Sequence, residues 1–418
     1  MSRIIEESEL RAARWFAGKH RAIEAVAEFD AVAVPGGRLV LLDVRYAGGA
    51  EERYLLPDAG GREPVAGDGY WGALVRALRA GPLAGRRGRL VLRPGRALEA
   101  LAGGEGEAVP SADQSNTLVV VGGTLLVKAY RLLQGGVHPE VELATALADT
   151  DAPVPAHAGS IHHVAPDGAE TAVALLQEFV PGAVSGWEAP IGRAAALLRS
   201  GADPAADAAA HARLGAATAA LHAALTEALG TVPGRAGDGE RWLARAEAAL
   251  AEVAGDPGLA EASGEEIRAR LAPLRRGAPA LTRVHGDLHV AQFLRAGERL
   301  LVVDLEGDPT LPLAVRRAPD TPLRDVAGLL RSLDHVGSAA ARRAGADPSA
   351  WIAAATEAAL AGYAAAAPEP PDRALLAALE LAKELQELVY ARRVLPEWAY
   401  TARVGLRRLL ARPLPQDH

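Results

Sequence analysis

The chain has 418 residues, of which 50% are hydrophobic and 23% charged, and it carries a net charge of -7 at pH 7. At roughly 100–200 residues per domain, this length predicts two or three domains, and the apolar fraction excludes a disordered chain. The 52 acidic residues outnumber the 45 basic ones, which disfavours a nucleic acid as the main partner. The absence of Cys excludes disulfides, a thiolate nucleophile and Cys-ligated zinc.

The sequence predicts a cytoplasmic protein with no membrane partner. Residues 1–14 mix charged and apolar residues and lack the apolar core of a signal peptide. The most apolar later stretch, residues 351–367, is mainly Ala and contains Glu357, so it is not expected to span a bilayer. The oligomeric state stays open, with a monomer favoured.

Lysine is rare in this chain. Only Lys19, Lys128 and Lys383 occur among the 45 basic residues, and the other 42 are Arg. Because Arg serves as the general surface cation here, a retained Lys indicates a position that needs a compact ammonium group. Three residues are also compatible with chance.

The order of predicted elements indicates an α+β protein with three domains. Residues 1–107 combine short strands and helices separated by Gly and Pro, which predicts a small cap subdomain. In residues 108–182, two β-branched runs flank Gly122-Gly123 and predict a hairpin within a β-rich lobe. Residues 183–418 are rich in Ala and Leu at helical spacing and predict an all-α lobe, with strand-like segments only near 282–304.

The segment HGDLHVAQ, residues 285–292, predicts a polar loop between apolar strands. It contains Asp287 and Gln292, and Asp304 ends the strand that follows. Phosphoryl transfer from ATP needs a carboxylate that deprotonates the attacking hydroxyl, and oxygen ligands that hold Mg²⁺. We therefore assign Asp287 as the catalytic base, and Gln292 and Asp304 as ligands of Mg²⁺. Taken alone, such a segment is also compatible with a buried polar turn.

A second pair of residues fits the ATP side of a kinase. Lys128 lies on the second strand of the predicted hairpin, and Glu142 lies on the helix that follows. In kinases a strand Lys reaches the phosphates and a helix carboxylate holds it. The order of strand Lys, helix Glu, catalytic loop and metal-binding Asp is that of protein kinases. We predict that Lys128 and Glu142 form this pair, the alternative being that Glu142 is an ordinary exposed acid.

Several segments together resemble one family of kinases. They are QSNT at 114–117, HPEVE at 138–142, HGDLH at 285–289 and PLRDVAGLLRS at 322–332, with RWFAGK at 14–19. The chain is similar in these segments to the aminoglycoside-phosphotransferase-like kinases, and within them to the actinobacterial glucosamine kinases and maltokinases. The resemblance implies a bilobal protein-kinase-like fold with an N-terminal cap subdomain and an all-α C-terminal lobe. Its expected partners are ATP and a small-molecule sugar.

The resemblance also implies which residues contact the ligands. For ATP these are Ser115, Asn116, Lys128, Glu142, Gln177, Phe179 and Val180. For the sugar they are Asp287, His289, Glu306, Lys383, Glu387, Glu397 and Trp398. His285 and Asp325 are expected to hold the catalytic loop in place.

The C-terminal segment bears on the choice of sugar. The ring of Trp398 offers a flat surface to a sugar, and a carboxylate accepts hydrogen bonds from hydroxyl or ammonium groups. Glu397 beside Trp398 departs from the maltokinase pattern and favours a protonated amino sugar, so 6-phosphorylation of glucosamine is the first expectation. Maltokinase activity, aminoglycoside phosphorylation and a non-catalytic sugar sensor are the alternatives. A solvated charged helix with a packed aromatic residue also fits this segment.

Overall fold

The structure is a computed structural model that describes residues 5–110 and 116–413. The chain folds into two compact units. The first unit contains the described residues up to Ala148 together with Pro155–Gly182, and the second contains Asp149–Val154 together with the described residues from Ala183 onwards. None of the helices among the described residues combines the length and apolar character needed to span a membrane.

The first unit contains two antiparallel sheets and a few helices. The strands are β1 Ile23–Val34, β2 Gly37–Tyr46, β3 Glu51–Asp58, β4 Leu83–Ala84, β5 Arg89–Pro94, β6 Glu107–Ala108, β7 Thr117–Val121, β8 Leu125–Ala129, β9 Leu132–Leu133, β10 His157–Val164 and β11 Glu170–Glu178. The helices are α1 Glu7–Ala12, α2 Tyr70–Ala80, α3 Leu98–Leu101 and α4 Pro139–Ala146. One sheet has the order β1-β2-β3-β9 and the other β4-β5-β10-β11-β8-β7-β6.

The hairpin β7–β8 has the tight turn that the sequence predicts. Gly122 and Gly123 have φ of 60° and 72°, and Val121 pairs with Leu125. A two-residue turn of this kind needs positive φ at both central positions, which Gly adopts without steric cost. The turn fixes the register of β8 and therefore the face of the sheet on which Lys128 lies.

Strands from both sides of residue 107 share the seven-stranded sheet. β4 and β5 come from the predicted cap, whereas β7, β8, β10 and β11 come from the predicted ATP lobe. Side chains of both sheets pack with Trp71 and Leu74 of α2 in one apolar core. The division at residue 107 stays a prediction.

The second unit is mainly helical. Its helices are α5 Glu188–Ser200, α6 Ala208–Leu229, α7 Ala236–Glu252, α8 Gly264–Leu271, α9 Leu313–Arg316, α10 Leu323–Ala344, α11 Ser349–Ala366, α12 Arg373–Val394 and α13 Ala399–Ala411. Its strands are β12 Val232–Pro233, β13 Ala280–Leu281, β14 Phe293–Ala296 and β15 Arg299–Val302. The polar segment 285–292 lies between β13 and β14, and Asp304 follows β15.

Candidate active site

Asp325, in the first turn of α10, anchors the segment 285–292. Its side chain is buried and accepts hydrogen bonds from the backbone N–H groups of His285 and Gly286, at 2.7 and 2.8 Å, and contacts Nε2 of His222 at 3.0 Å. Burial alone would raise the pKa of Asp325, but the His222 contact and the Gly286 N–H outweigh it and hold the pKa below its usual value. The predicted bracing role of Asp325 is confirmed by these contacts.

Other contacts fix the same segment against α10 and β15. The backbone N–H of Val290 donates to Oγ of Ser332 at 2.9 Å, and Nε2 of His285 lies 2.9 Å from the carbonyl oxygen of Val303. A Cβ atom at Gly328 would stand 2.5 Å from the carbonyl oxygen of Leu288, so only Gly allows this approach of helix and loop. The polar loop is therefore held at several points.

Asp287 is paired with Lys383 of α12. Nζ of Lys383 lies 3.2 Å from Oδ1 of Asp287 and 2.7 Å from Oε1 of Glu387, one helical turn further along. Burial alone would lower the pKa of Lys383, but the two carboxylates outweigh it and raise the pKa above its usual value. The structure thus brings together three of the predicted site residues.

Gln292 and Asp304 also lie together. Nε2 of Gln292 is 3.2 Å from Oδ2 of Asp304, and the N–H of Val303 donates to the carbonyl oxygen of Gln292 at 2.9 Å. Asp304 is the one residue other than Gly with positive φ, 67°, among the described residues. Such a conformation is costly without Gly, and it occurs most often at functional sites.

This pair is compatible with Mg²⁺. A carboxylate and an amide oxygen are hard oxygen ligands, and Mg²⁺ at kinase sites takes few protein ligands besides phosphates and water. The described part of the chain has no cluster of three or more His, Asp or Glu side chains suited to a metal ion. The assignment of Mg²⁺ to Gln292 and Asp304 stays a prediction.

A cavity of about 740 Å³ lies in front of Asp287, entirely within the second unit. The ring of Trp187 stacks on His289, with centroids 5.2 Å apart and an interplanar angle of 23°. Burial lowers the pKa of His289, so this ring is neutral at pH 7. Side chains with polar groups in the lining are Trp187, Arg245, Glu252, Asp287, His289, Asp308, Thr310, Arg331, Ser332, His335, Lys383, Gln386, Glu387, Tyr390, Arg393, Trp398 and Thr401.

The carboxylates that line this cavity differ in their partners. Asp287 and Glu387 share Lys383, and Glu252 is paired with Arg393 at 2.6 Å.

Within the described part of the chain, the side chain of Asp308 accepts hydrogen bonds only from N–H and Oγ1 of Thr310, at 2.9 and 2.6 Å. Over residues 5–110 and 116–413, it is the one lining carboxylate without an ion pair.

One face of α12, formed by Glu380, Lys383, Glu384 and Glu387, is only partly available to a ligand. Glu380 is buried with Oε1 3.0 Å from Nη2 of Arg331, and Glu384 is buried with Oε1 2.9 Å from Nε2 of His335. Arg331 and His335 line the cavity, so these two acids support its floor. Of this face, Lys383 and Glu387 reach the cavity.

Two predicted sugar contacts are not placed in the cavity. Glu397 is exposed and does not line it, whereas Trp398 does. The 3₁₀ turn Pro396–Trp398 explains the difference, because successive side chains there point about 120° apart. Glu306 does not line the cavity either, and Nη1 of Arg316 donates to its carbonyl oxygen at 3.1 Å. The predicted role of Glu397 beside Trp398 is therefore wrong for this cavity.

In the first unit, the carboxylate on Lys128 is Glu140, which corrects the predicted partner Glu142. Nζ of Lys128 lies 2.9 Å from Oε2 of Glu140, and the Tyr130 hydroxyl donates to the same oxygen at 2.8 Å. Glu140 is 2% exposed. Glu142, two residues further, projects roughly 200° away around α4, because each residue turns the helix by about 100°.

The other predicted ATP contacts belong to the same unit. Gln177 pairs with Leu126 between β11 and β8, and the N–H of Phe179 donates to the carbonyl oxygen of Thr124 at 2.7 Å. Val180 is buried, and Oδ1 of Asn116 accepts from the N–H of Arg131 at 3.3 Å. Ser115 lies outside the described residues. Contact of these residues with ATP stays a prediction.

Three residues of interest were missed from the sequence. Glu140 lies in the HPEVE segment. Its available signal was Pro139 at the first helical position, which marks the start of α4 and so places Glu140 in the first turn. Asp304, Glu306 and Asp308 place an acid at every second residue, and this spacing was the available sequence signal for Asp308. Trp187 precedes α5 with no local motif to mark it.

Comparisons with known proteins agree with this geometry. Residues 107–307 match the phosphotransferase enzyme family, APH. A glucosamine kinase of Mycolicibacterium smegmatis is 32% identical over 92% of this chain and 98% of its own length, and one of Streptacidiphilus jiangxiensis is 36% identical over 84% of each chain.

Among solved structures, a glucosamine kinase in complex with glucosamine, ADP and inorganic phosphate is 29% identical, with a TM-score of 0.72 over 98% of this chain and 100% of that chain. These matches confirm the resemblance and the fold class that the sequence predicts.

We expect Asp325→Asn to lower the free energy of unfolding at pH 7 by about 2–5 kcal/mol, since one amide oxygen cannot replace an ionised carboxylate between these donors. Because the folded-state pKa of Asp325 is lowered, its contribution is present above the unfolded pKa of about 3.9 and is lost as the pH falls through the folded-state pKa. Urea unfolding at pH 7 and at pH 3.5 should therefore show a smaller difference between variant and wild type at the lower pH.

The matched control is Asp372→Asn. Asp372 caps α12 by accepting from the N–H groups of Ala374 and Leu375, a role that Asn performs equally well. An Asp325→Asn variant as stable as this control at pH 7 would contradict the anchoring role.

Proposed function

We propose that this chain transfers the γ-phosphoryl group of ATP to glucosamine and forms glucosamine 6-phosphate. The chain belongs to the same family of phosphotransferase enzymes as the glucosamine kinases. Relatives of that name match the chain over most of its length, and one solved neighbour of that name binds glucosamine, ADP and phosphate. The observation that carries the proposal is a cavity that contains both Asp287 and the unpaired carboxylate Asp308.

The chemistry begins at Asp287. Its carboxylate orients the acceptor hydroxyl and takes its proton as the bond to phosphorus forms, in direct in-line transfer. The ammonium group of Lys383, 3.2 Å from Oδ1 of Asp287, holds this carboxylate in position. Trp187 and Trp398 supply flat apolar surfaces for the C–H faces of the sugar and keep water from the reacting groups.

We assign Lys128 to the phosphates of ATP, with Glu140 holding its ammonium group. Asn116, Gln177, Phe179 and Val180 complete the nucleotide contacts in this proposal. Gln292 and Asp304 would hold Mg²⁺, which supplies positive charge that offsets the charge of the phosphates.

Asp308 is the carboxylate that we assign to the substrate ammonium group. In the cavity, Asp287 and Glu387 share the single ammonium group of Lys383, and Glu252 is paired with Arg393. Among the described residues Asp308 forms no ion pair, although Arg245 and Lys383 of the same cavity lie within electrostatic range, and its hydrogen bonds to Thr310 hold it in place. A charge-assisted hydrogen bond from the ammonium group is therefore most favourable at this residue.

We expect ATP-dependent ADP release to be fastest with glucosamine in a parallel assay with maltose, glucose and an aminoglycoside, in the presence of Mg²⁺. Asp287→Asn should lower kcat at least 100-fold, because the amide cannot accept the proton. Preference for maltose would retain the kinase chemistry and overturn the assignment of the acceptor. Equal ADP release by wild type and Asp287→Asn would overturn the proposed reaction.

Glu140→Gln should lower kcat/KM for ATP at least tenfold, because Lys128 loses the charge that positions it. The KM for glucosamine should stay within about twofold, since the change is confined to the ATP contacts. Glu142→Gln is the matched control, with an expected change of less than about threefold. Thermal unfolding establishes that both variants are folded. An equal loss in both variants would contradict the assignment of Glu140.

Asp308→Asn should lower kcat/KM for glucosamine by about 10- to 100-fold, because the variant loses one charge-assisted hydrogen bond worth roughly 1.5–3 kcal/mol. Turnover of glucose, which lacks the amine, should change by less than about threefold. Glu397→Gln is the matched control and should leave both substrates unaffected, because this side chain is exposed outside the cavity. An equal loss with both sugars would show that Asp308 supports the site without selecting the amine.

A further inference from the structure

A second cavity, of about 200 Å³, lies in the helical unit and shares no lining residue with the acceptor cavity. Leu214, Leu300, Leu333 and Val290 give it a mainly apolar wall. Val290 is part of the turn Val290–Gln292 that continues from the catalytic loop. A molecule bound in this cavity would therefore contact the segment that carries Gln292.

Three arginines line the cavity, and two of them are neutralised by nearby acids. Nε of Arg193 lies 2.8 Å from both carboxylate oxygens of Asp207, and Nη1 of Arg213 lies 3.4 Å from Oε2 of Glu298.

The third arginine, Arg295, makes no side-chain hydrogen bond or ion pair within residues 5–110 and 116–413. Burial lowers the pKa of His211, another lining residue, so this ring adds no charge at pH 7. The site therefore has one uncompensated positive charge.

Trp351 provides a second and independent observation. Its side chain is 3% exposed and lines the cavity, and its Nε1–H has no hydrogen-bond acceptor in the described part of the chain. The indole meets the ring of His211 edge to face, with centroids 5.3 Å apart. A buried donor without an acceptor costs about 1–3 kcal/mol and is rare, so an acceptor supplied by a ligand would remove this cost.

We propose that this cavity binds a small organic monocarboxylate. Its carboxylate accepts hydrogen bonds from the Arg295 guanidinium and the Trp351 indole, and its apolar part packs against Leu214, Leu300 and Val290. The volume holds about seven water-sized groups at roughly 30 Å³ each, which suits an acid of about six to nine heavy atoms. A phosphate dianion fits less well, since one cation would face two charges and the wall is apolar.

The test uses benzoate as the probe and its uncharged analogue benzamide as the ligand control, with binding to the full chain measured by isothermal titration at pH 7. We expect benzoate to bind with a Kd of about 1–10 mM, in line with its nine heavy atoms, and benzamide to bind at least tenfold more weakly. Arg295→Gln should weaken benzoate binding at least tenfold. Trp351→Phe, which removes the N–H and keeps an aromatic ring, should weaken it at least threefold.

The matched control is Arg268→Gln, which changes the net charge equally at an exposed residue that does not line the cavity. Arg295 is exposed, so its replacement leaves the core intact even if Trp351→Phe fails to fold. A benzoate concentration of 50 mM is roughly five to fifty times the expected Kd, so the site should be largely occupied. The absence of binding at this concentration would overturn the proposal. Equal binding of benzamide, or equal binding by Arg295→Gln and Arg268→Gln, would overturn it as well.

Discussion

The catalytic segment depends on a buried carboxylate that receives several hydrogen bonds. Asp325 accepts from consecutive backbone N–H groups at His285 and Gly286 and contacts His222, at distances of 2.7–3.0 Å. Burying an ionised carboxylate without such partners would cost several kcal/mol. The loop must therefore adopt the conformation that provides these N–H groups, and that conformation positions Asp287 in the next residue. The first turn of α10 thus determines where Asp287, the proposed catalytic base, lies.

Two of the rare lysines occupy buried or half-buried ion pairs at the candidate sites. Lys128 contacts Glu140, and Lys383 joins Asp287 to Glu387. An ammonium group is a compact charge whose three donors point in different directions. It therefore contacts two carboxylates at a crowded position, where a planar guanidinium would need more room. Arg is used instead at the buried position of Arg331, which forms ion pairs with Asp334 and Glu380. This contrast gives a physical reason for the retained lysines.

Local sequence signals predicted much of the fold and part of the site. The Gly122-Gly123 turn, the strand that carries Lys128 and the polar loop that ends at Gln292 are each encoded by a short segment, so they could be predicted from local signals. The choice between Glu140 and Glu142 depends on the rotation of a helix, and a difference of two residues turns the side chain to another face. Glu397 was misplaced for a similar reason, because the 3₁₀ turn separates it from Trp398. Asp308 stands out only when the partners of every cavity carboxylate are known.

The charges of the acceptor cavity also bear on which hydroxyl of an amino sugar would react under the proposed function. Lys383 lies between Asp287 and Glu387, whereas Asp308 forms no ion pair among the described residues and has Arg245 and Lys383 only within electrostatic range. At an effective dielectric constant of about 20, two charges 4 Å apart interact by about 4 kcal/mol, which is enough to orient a small ligand. Under the proposed function, an ammonium group bound at Asp308 would leave the ring to present to Asp287 a hydroxyl remote from the amine. In glucosamine the amine is on C2 and the 6-hydroxyl is remote from it, so the proposed binding of the amine at Asp308 agrees with the proposed reaction at the 6-hydroxyl.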